Sequence, residues 1–276
     1  MLIIVRGAGD LATGVIYRLY KSGFKMLVLE VENPSAIRRT VSFCECIYTD
    51  EQVVENVRAK KVETLEEIER CWVDGDIPIV VDPIGKWIEK LKPEVVIDSI
   101  IAKKNLGTNR KMAPLTVGLG PGFTAGKDVD AVIETMRGHN LGRVLYRGSA
   151  QENTGVPGEI GGVTTDRVIY APCSGTFKGL KEIGDIVKKG EELGSIGKEP
   201  VFATIDGLLR GIIRDEYKVQ KGLKIADIDP RLNQHNNCFT ISDKARALGG
   251  AVLEAILYEI VRKGEKDGFK YFRENF

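Results

Sequence analysis

The sequence has few of the residues that most often carry metal or acid–base chemistry, and it has no strong charge of either sign. Its 276 residues include only 2 histidines, and 40 basic residues face 39 acidic ones, which leaves a net charge of +1. Because no global electric field favours an anionic polymer, we expect no nucleic-acid partner. The longest apolar runs fall far short of a bilayer span, so we expect no membrane association either.

The cysteines are too few and too scattered for a disulfide framework. Their odd number favours free thiols in a reducing cytoplasm, and they lie at positions 44, 46, 71, 173 and 238. A strand over residues 41–48 would place Cys44 and Cys46 on one face, but structural zinc pairs are spaced more widely and need a second pair. We therefore predict two plain thiols and no metal site. The first six residues lack an export signal, which also predicts a cytoplasmic protein.

Glycine is the residue in excess, with 31 copies where a chain of this length would average about 20. Such an excess implies many tight turns or close backbone approaches. The glycines fall into three clusters along the chain, and each cluster predicts a different kind of structure. The length of the chain predicts two or three compact units in all.

The first glycine cluster predicts a dinucleotide-binding fingerprint. A strand, a glycine turn, a helix and a second strand follow one another over residues 2–30. In such a unit Gly7 makes the tight turn, Gly9 lets a pyrophosphate approach the backbone, and Ala12 allows close helix–sheet packing. Glu30, at the end of the second strand, is placed to accept a hydrogen bond from an adenosine ribose.

Asp10 complicates this interpretation because it follows Gly9 directly. A carboxylate there can cap the helix itself and repel a phosphate. We include Asp10 among the candidate cofactor-binding residues. The alternative is a Rossmann-like unit that keeps the glycine turn for structural reasons alone.

The parallel sheet is predicted to continue to about residue 115, because further strands and helices alternate along the chain. The strands are expected at 77–82, 94–98 and 115–119, and the helices at 64–71 and 84–91. Asp98 ends one of these strands, where open α/β sheets bind ligands. Lys103 and Asn105 follow in a polar loop that could meet an anion, although a solvated loop is equally consistent with the sequence.

The second glycine cluster resembles a P-loop but is not one. Gly120, Gly122 and Thr124 lie in a glycine-rich turn, and Lys127 is followed by Asp128 where a magnesium-binding Ser or Thr belongs. Such a backbone can still form a nest for a phosphate or carboxylate.

Polar and charged residues whose side chains form directional hydrogen bonds are concentrated just after this turn. They are Glu134, Arg137, His139, Arg143, Asn153 and Thr154. An arginine pair beside a glycine loop suits recognition of a phosphorylated or carboxylated ligand, and His139 is a candidate general acid or base. The alternative is that the charged residues form ion pairs across a small sheet and His139 only fixes a turn.

The third glycine cluster belongs to an internal repeat, in which residues 171–196 match 203–228. Two such halves resemble the biotinyl/lipoyl-type barrel-sandwich module. In carrier domains of that kind the modified lysine stands in the connecting hairpin beside methionines. Lys198 occupies the hairpin here without a nearby methionine, so we predict no covalent biotin or lipoate. The glycines of this cluster then serve turns and bulges.

We therefore predict an α/β protein with an N-terminal Rossmann-like parallel sheet, followed by a β-rich barrel-sandwich (biotinyl/lipoyl-like hammerhead) module and a C-terminal helix. The helix follows from apolar residues at spacings of four after residue 241. The adjacent Gly249 and Gly250 weaken it, so that turn is expected to pack tightly against another backbone. The predicted units are 1–115 (nucleotide-binding), 116–165 (glycine-rich, ligand-binding), 166–230 (barrel with the repeat) and 231–276 (C-terminal helix).

In combination, five motifs resemble the YqeB-type selenium-dependent molybdenum hydroxylase system proteins over nearly the whole chain, and more distantly the XdhC-type accessory proteins of xanthine dehydrogenase. They are Gly-Ala-Gly-Asp-Leu-Ala-Thr-Gly (7–14), Gly-Pro-Gly-Phe-Thr-Ala-Gly (120–126), Ile-Glu-Thr-Met-Arg-Gly-His-Asn-Leu-Gly-Arg (133–143), Asn-Thr-Gly-Val-Pro-Gly (153–158) and Ile-Ser-Asp-Lys (241–244) with the helix that follows. The resemblance implies a cytoplasmic maturation factor that handles a molybdopterin-type cofactor or its dinucleotide. Its implied partners are an apo molybdenum hydroxylase or other maturation factors.

Other functions stay open at this stage. One is an NAD(P)-dependent oxidoreductase of a small metabolite, in which Glu30 holds the ribose and Lys103 or His139 moves protons. Another is a non-catalytic scaffold. Because no paired acid–base motif is evident, the sequence favours binding over turnover, and it leaves open whether the chain is an enzyme or a homo-oligomer.

Overall fold

The computed structural model describes residues 1–263. Its helices are α1 (Asp10–Lys21), α2 (Cys46–Thr49), α3 (Leu65–Val73), α4 (Lys86–Leu91) and α5 (Asp243–Lys263). Its strands are β1 (Leu2–Arg6), β2 (Lys25–Glu30), β3 (Glu51–Val54), β4 (Val57–Lys61), β5 (Ile77–Val81), β6 (Val95–Asp98), β7 (Leu115–Leu119), β8 (Thr124–Ala125), β9 (Ala131–Ile133), β10 (Val144–Leu145), β11 (Gly148–Ser149), β12 (Val168–Tyr170), β13 (Gly175–Gly179), β14 (Ile186–Val187), β15 (Glu192–Ile196), β16 (Glu199–Phe202), β17 (Gly207–Ile212), β18 (Lys218–Val219) and β19 (Lys224–Asp229).

A nine-stranded sheet in the order β10-β9-β7-β6-β1-β2-β5-β4-β3 forms the larger part of the fold. Seven strands from β9 to β4 pair in parallel, while β10 and β3 pair antiparallel at the two edges. The central strands are apolar except at their ends, because helices and loops cover both faces of the sheet. Apart from a strand over residues 41–48, the strands and helices predicted between residues 2 and 119 are confirmed, with shifts of one or two residues at their ends.

The two longest helices, α1 and α5, cross at a pair of glycines on one face of the sheet. A Cβ atom at Gly14 would lie 2.3 Å from the carbonyl oxygen of Ala245, and one at Gly249 would lie 2.5 Å from the carbonyl oxygen of Gly14. Only glycine allows this approach, since real Cβ contacts are never so short. The tight packing expected near residue 249 is thereby confirmed, and it joins α5 to the core that also holds α1 and β1.

The internal repeat forms two four-stranded antiparallel sheets, in the orders β12-β19-β17-β14 and β16-β15-β13-β18. The two copies exchange short strands. β14, from the first copy, pairs with β17 of the second, and β18, from the second, pairs with β13 of the first. Each sheet therefore contains strands of both copies, and the buried apolar residues of the two copies form one core.

The predicted fold class is wrong. The large sheet is mixed, and strands β7, β9 and β10 extend it well beyond a Rossmann-like unit. The repeat does not stand apart as a biotinyl/lipoyl-like barrel-sandwich module either, because β17 is bonded directly to the loop after β2. The backbone N–H of Ile212 donates to the Ile37 carbonyl oxygen at 2.9 Å, and Arg39 Nε donates to the Ile212 carbonyl oxygen at 2.9 Å. The fold is a mixed α/β structure with small antiparallel sheets.

The strand predicted over residues 41–48 is also wrong. Residues 43–45 form a 3₁₀ turn that leads into α2, and the Cys44 N–H donates to the Ala8 carbonyl oxygen at 2.9 Å. Cys44 and Cys46 are both buried free thiols. Their pKa values are raised, chiefly because burial disfavours the thiolate. Within residues 1–263, no cluster of three His, Cys, Asp or Glu side chains could hold a metal ion.

None of the helices described for this chain is both long and apolar enough to cross a membrane.

Candidate functional site

A cleft of about 820 Å³ lies between the large sheet and the antiparallel sheets. One wall is formed at the carboxyl ends of β1, β2 and β6, where the chain runs from β1 to β2 on one side and later returns to β6 on the other side of β1. Open α/β sheets place their ligands at such a switch point. The other wall is formed by β17, β19 and the start of α5. The cleft is therefore built by parts of the chain that are more than 200 residues apart.

The glycine turn after β1 forms the floor of the first wall. Gly7 has a φ of 92°, and Gly9 begins α1 without a side-chain cap. Glu30 closes this turn, since its carboxylate accepts the Ala8 N–H at 2.7 Å and the Val31 N–H at 2.8 Å. Burial raises the pKa of Glu30, and the two backbone hydrogen bonds oppose that shift. Its carboxylate thus holds the turn in place, whatever further bond it accepts from a ligand.

Arg38 and Asp10 form an ion pair at the start of α1. Arg38 Nη1 donates to Asp10 Oδ1 at 2.9 Å, and Nη2 donates to the carbonyl oxygens of Asn237 and Thr240. Only 4% of Arg38 is exposed. Its Nε nevertheless has no hydrogen-bond partner among the described residues, although Arg38 lines the cleft. An unsatisfied buried donor is costly, and this one has almost no accessible surface, so it is a cost of the fold and not an open ligand contact.

Three basic side chains on the opposite wall have too little nearby carboxylate charge to offset the effect of burial on their pKa values. Burial lowers the pKa of Arg210, Lys224 and Lys244, and in each case it outweighs the nearby carboxylates. Lys244 has no ion-pair partner within residues 1–263, and it lies in the first turn of α5, where the helix dipole also disfavours a positive charge. Such groups gain stability from a bound anion.

Asp227 is the carboxylate that Arg210 and Lys224 share with Arg167. It is buried, with 3% of its surface exposed, and Arg167 Nη1 donates to its Oδ1. Arg210 Nη1 lies 3.5 Å from Oδ2 and Lys224 Nζ lies 3.9 Å from Oδ1. One carboxylate between three cations leaves a local excess of positive charge, which an anionic ligand would neutralise.

A loop over residues 151–163 crosses one end of the cleft. Arg167 fixes it by donating from Nε and Nη2 to the Gly158 carbonyl oxygen at 3.1 and 3.0 Å. The Arg137 side chain packs beside the same glycine and forms two hydrogen bonds with the Asp243 carboxylate, at 2.7 and 2.8 Å. This pairing holds the pKa of Asp243 well below its usual range. Arg137 thus joins the cleft loop to the start of α5.

About half of the site residues predicted from the sequence line this cleft. They are Gly7, Gly9, Asp10, Ala12, Glu30, Lys103, Arg137, Asn153 and Thr154. In the orientation that satisfies its hydrogen bonds, the Asn153 amide oxygen accepts from Lys103 Nζ at 3.1 Å. The structure therefore brings the loop after β6 and the loop over 151–163 together, as a shared ligand site requires.

The other predicted site residues lie outside the cleft lining. They are Asp98, Asn105, Gly120, Gly122, Thr124, Glu134, His139 and Arg143. Several have structural partners instead: Asp98 pairs with Arg6, and the Glu134 carboxylate accepts the N–H groups of Met136 and Gln151 at 2.7 and 2.8 Å. His139 and Arg143 are exposed. A binding role for these eight residues stays a prediction.

Sequence reasoning missed five basic residues that line the cleft. They are Arg38, Arg167, Arg210, Lys224 and Lys244. The repeat held one signal for them, because Arg210 aligns with Lys178 of the first copy. The Lys178 side chain is 69% exposed whereas that of Arg210 is 15% exposed. Both copies of the repeat keep a basic residue at this position, but only the second copy buries it. This difference indicates a role for Arg210 that Lys178 does not have.

Lys244→Gln is expected to make the ligand-free protein more stable at about pH 8. The folded-state pKa of Lys244 lies below its ordinary 10.5, so the unfolded chain binds more protons between those two pH values. The free energy of unfolding then rises with pH across that window because of this lysine. The stability advantage of the variant should shrink as the pH approaches 10.5. Urea unfolding of both proteins across this range measures it, and a constant advantage would contradict the argument.

Comparison with solved structures gives low overall likeness. The product-bound ectoine utilization protein EutE (DoeB) of Ruegeria pomeroyi has a TM-score of 0.26 and 9% identity, over 82% of this chain and 84% of that one. An aspartoacylase family protein of Mesorhizobium loti has a TM-score of 0.27 and 11% identity, over 83% and 85%. Likeness at this level supports no activity for this chain.

The function predicted from the sequence is withdrawn. The structural neighbours are of the succinylglutamate desuccinylase and aspartoacylase kind, and those named here include neither a molybdenum hydroxylase maturation factor nor an NAD(P)-dependent oxidoreductase. Both predictions are set aside.

Comparison with known protein families gives no match. Comparison with curated proteins gives the uncharacterized protein YqeB of Escherichia coli (strain K12), which is 50% identical over 256 residues. The match covers 93% of this chain but 47% of the relative, so the chain spans about half the length of the curated protein that it matches. A role in a selenium-dependent molybdenum hydroxylase system is not shown. The chain is similar to YqeB across nearly all of its own length, which supports the YqeB-type resemblance of its motifs.

Proposed function

We propose that the cleft binds a small molecule that carries a phosphate group. The observation that carries this proposal is the basic wall, in which burial lowers the pKa values of Arg210, Lys224 and Lys244. Asp227 is the carboxylate that Arg210 and Lys224 approach. Across the cleft lining, seven basic side chains face four acidic ones. A phosphate ester supplies the missing negative charge and several acceptor oxygens.

The size of the cleft supports a ligand larger than inorganic phosphate. Its volume of about 820 Å³ falls within the range typical of sites for nucleotide-sized molecules, about 300–1,000 Å³. NAD(P) and molybdopterin-type dinucleotides, the ligands predicted from the sequence, are phosphate esters of this kind. They stay predictions, and they define which compounds should be tested first.

Thermal unfolding with added ligand tests the proposal. Pyrophosphate, ADP, NAD⁺, NADP⁺ and a molybdopterin nucleotide are each added to the native protein. A ligand present at about 100 times its dissociation constant stabilises the folded state by about 2.7 kcal/mol. Arg210→Gln and Lys244→Gln should each weaken binding about 10- to 100-fold, since a hydrogen bond to a charged group contributes about 1.5–3 kcal/mol.

Lys218→Gln is the matched control. Lys218 is exposed on β18 of the antiparallel sheets and does not line the cleft, so its neutralisation should leave the dissociation constant unchanged. If none of the compounds raises the unfolding temperature, the proposal fails. It also fails if Lys218→Gln weakens binding as much as the two cleft variants, because the effect would then reflect general surface charge.

A further inference from the structure

Lys244 lines the cleft without a counter-ion. It is half-buried in the first turn of α5, and none of the residues that the structure describes accepts a hydrogen bond from its Nζ. Lys224, the other lysine of the basic wall, differs because its Nζ lies 3.9 Å from Asp227 Oδ1. Lys244 therefore carries an amine whose protonated form is not neutralised by a direct neighbour.

Three carboxylates act on Lys244 through space, and each is already bonded to another donor. They belong to Asp10, Asp243 and Glu134. Asp10 accepts from Arg38 at 2.9 Å. Asp243 accepts two hydrogen bonds from Arg137, at 2.7 and 2.8 Å. The Glu134 carboxylate accepts two backbone N–H groups, at 2.7 and 2.8 Å. None of these carboxylates is thus left to pair with the lysine.

The surroundings of Lys244 favour its neutral amine over the ammonium ion. Burial is the largest effect and the Arg137 guanidinium adds to it, and together they lower the pKa of Lys244 despite the carboxylates. The positive end of the α5 dipole acts in the same direction. A lysine that is desolvated and lies next to another cation is an activated nucleophile, because the neutral amine is the form that attacks.

The backbone that carries Lys244 is held on both sides. The Ser242 hydroxyl accepts the Ala245 N–H at 3.2 Å, which fixes the start of α5. The Arg137–Asp243 pair joins this turn to the loop that crosses the cleft. Further along the helix, Gly249 packs against α1. A nucleophile on such a fixed element is positioned before a ligand arrives.

We propose that Lys244 is a nucleophile that forms an imine with the carbonyl carbon of a phosphate-bearing aldehyde or ketone. The amine nitrogen bonds to the carbonyl carbon, and the carbonyl oxygen leaves as water with the two protons of that nitrogen. The step consumes no oxidant or reductant. Arg210 and Lys224 hold the phosphate. The inference rests on the proposed function for the phosphate, and it adds the reactive group that the ligand carries.

Reductive trapping tests the inference. The native protein is incubated with glyceraldehyde 3-phosphate and sodium cyanoborohydride, which reduces an imine to a stable amine, and the modified lysines are located by peptide mass spectrometry. Lys244 should be modified at least about tenfold faster than Lys218, which is exposed and does not line the cleft. Unphosphorylated glyceraldehyde should give a smaller ratio of Lys244 to Lys218 modification.

Lys244→Arg separates the amine from its charge. Arginine keeps the positive charge but has no nucleophilic amine. The variant should lose trapping at position 244, while ADP should still raise its unfolding temperature. The loss of trapping is then due to the amine and not to weaker binding of the phosphate.

Trace labelling with acetic anhydride, which acylates neutral amines, gives a readout that needs no phosphate. The acylation of Lys244 should reach half its maximum at a lower pH than that of N-acetyl-lysine. Arg137→Gln removes the neighbouring cation and frees Asp243 to pair with Lys244, so it should move this midpoint to higher pH. An unchanged midpoint in Arg137→Gln would contradict the role given to Arg137.

Trapping of Lys244 no faster than of Lys218 would overturn the inference, as would trapping at Lys224 instead. Equal ratios for the two aldehydes would overturn the assignment of a phosphate-bearing ligand. The proposed function is judged separately, by compounds that have no aldehyde. If ADP raises the unfolding temperature but no imine is trapped, the proposed function stands and only this inference fails.

Discussion

Asp98→Ala is expected to destabilise the protein by about 3–5 kcal/mol, because it leaves the Arg6 guanidinium buried without its counter-ion. Arg6 and Asp98 are 3% and 2% exposed, and Arg6 Nη1 lies 3.5 Å from Asp98 Oδ2. Thr108 links the two, since its hydroxyl donates to Asp98 Oδ2 at 2.6 Å and also accepts from Arg6. Urea unfolding followed by the fluorescence of Trp72 and Trp87, which pack against the large sheet, measures the loss.

Two further variants separate the charge argument from simple loss of packing. Asp206→Ala removes an exposed carboxylate that pairs with Lys188 at 3.1 Å, and it should shift the unfolding midpoint far less. The double variant Arg6→Met/Asp98→Leu replaces the buried pair with apolar side chains and should be more stable than Asp98→Ala alone. A double variant that is less stable than the single one would show that packing, and not the uncompensated charge, dominates.

Gly249→Ala is expected to destabilise the protein by about 1–3 kcal/mol, while the neighbouring Gly250→Ala should stabilise it by about 0.5–1 kcal/mol. The Cβ added at Gly249 would lie 2.5 Å from the Gly14 carbonyl oxygen and 2.9 Å from Arg18 Cβ, whereas one added at Gly250 meets nothing within 4 Å. Both glycines lie inside α5, so alanine improves the helix propensity equally at either position.

Thermal and urea unfolding of the two single variants, measured side by side, check this prediction. Because the residues are adjacent in one helix, differences in expression or in helix propensity affect both alike. The free energies of unfolding should change in opposite directions. Two stabilised variants would mean that α1 and α5 do not approach as closely as the structure places them.

Much of the local structure could be predicted from the sequence, because it depends on neighbouring residues. Apolar runs bounded by charges and glycines located the parallel strands, and the glycine turn with its helix located α1 and β2. The 32-residue repeat predicted a duplicated β unit. It did not predict the exchange of strands β14 and β18 between the two sheets, since each is only two residues long.

The role of Asp98 could not be predicted from the residues next to it in the sequence. A carboxylate at the end of a parallel strand commonly faces a ligand, and that pattern is all the sequence provides. In the fold, Arg6 ends the neighbouring strand β1 and is paired in register with Asp98. The order of the strands in the sheet therefore decides that Arg6 is the basic partner of Asp98, although the two residues are 92 positions apart in the sequence.

The sequence alone determined the parallel strands, the α1 turn, the repeat and one wall of the cleft, because each follows from short-range pattern and residue chemistry. Only the tertiary structure decided which basic side chains line the cleft. Arg38, Arg210, Lys224 and Lys244 come from three distant segments, and the field they create depends on burial and on which carboxylates lie near. A near-neutral composition does not reveal such a site, because electrostatic interactions depend on distances in space and not on positions along the chain.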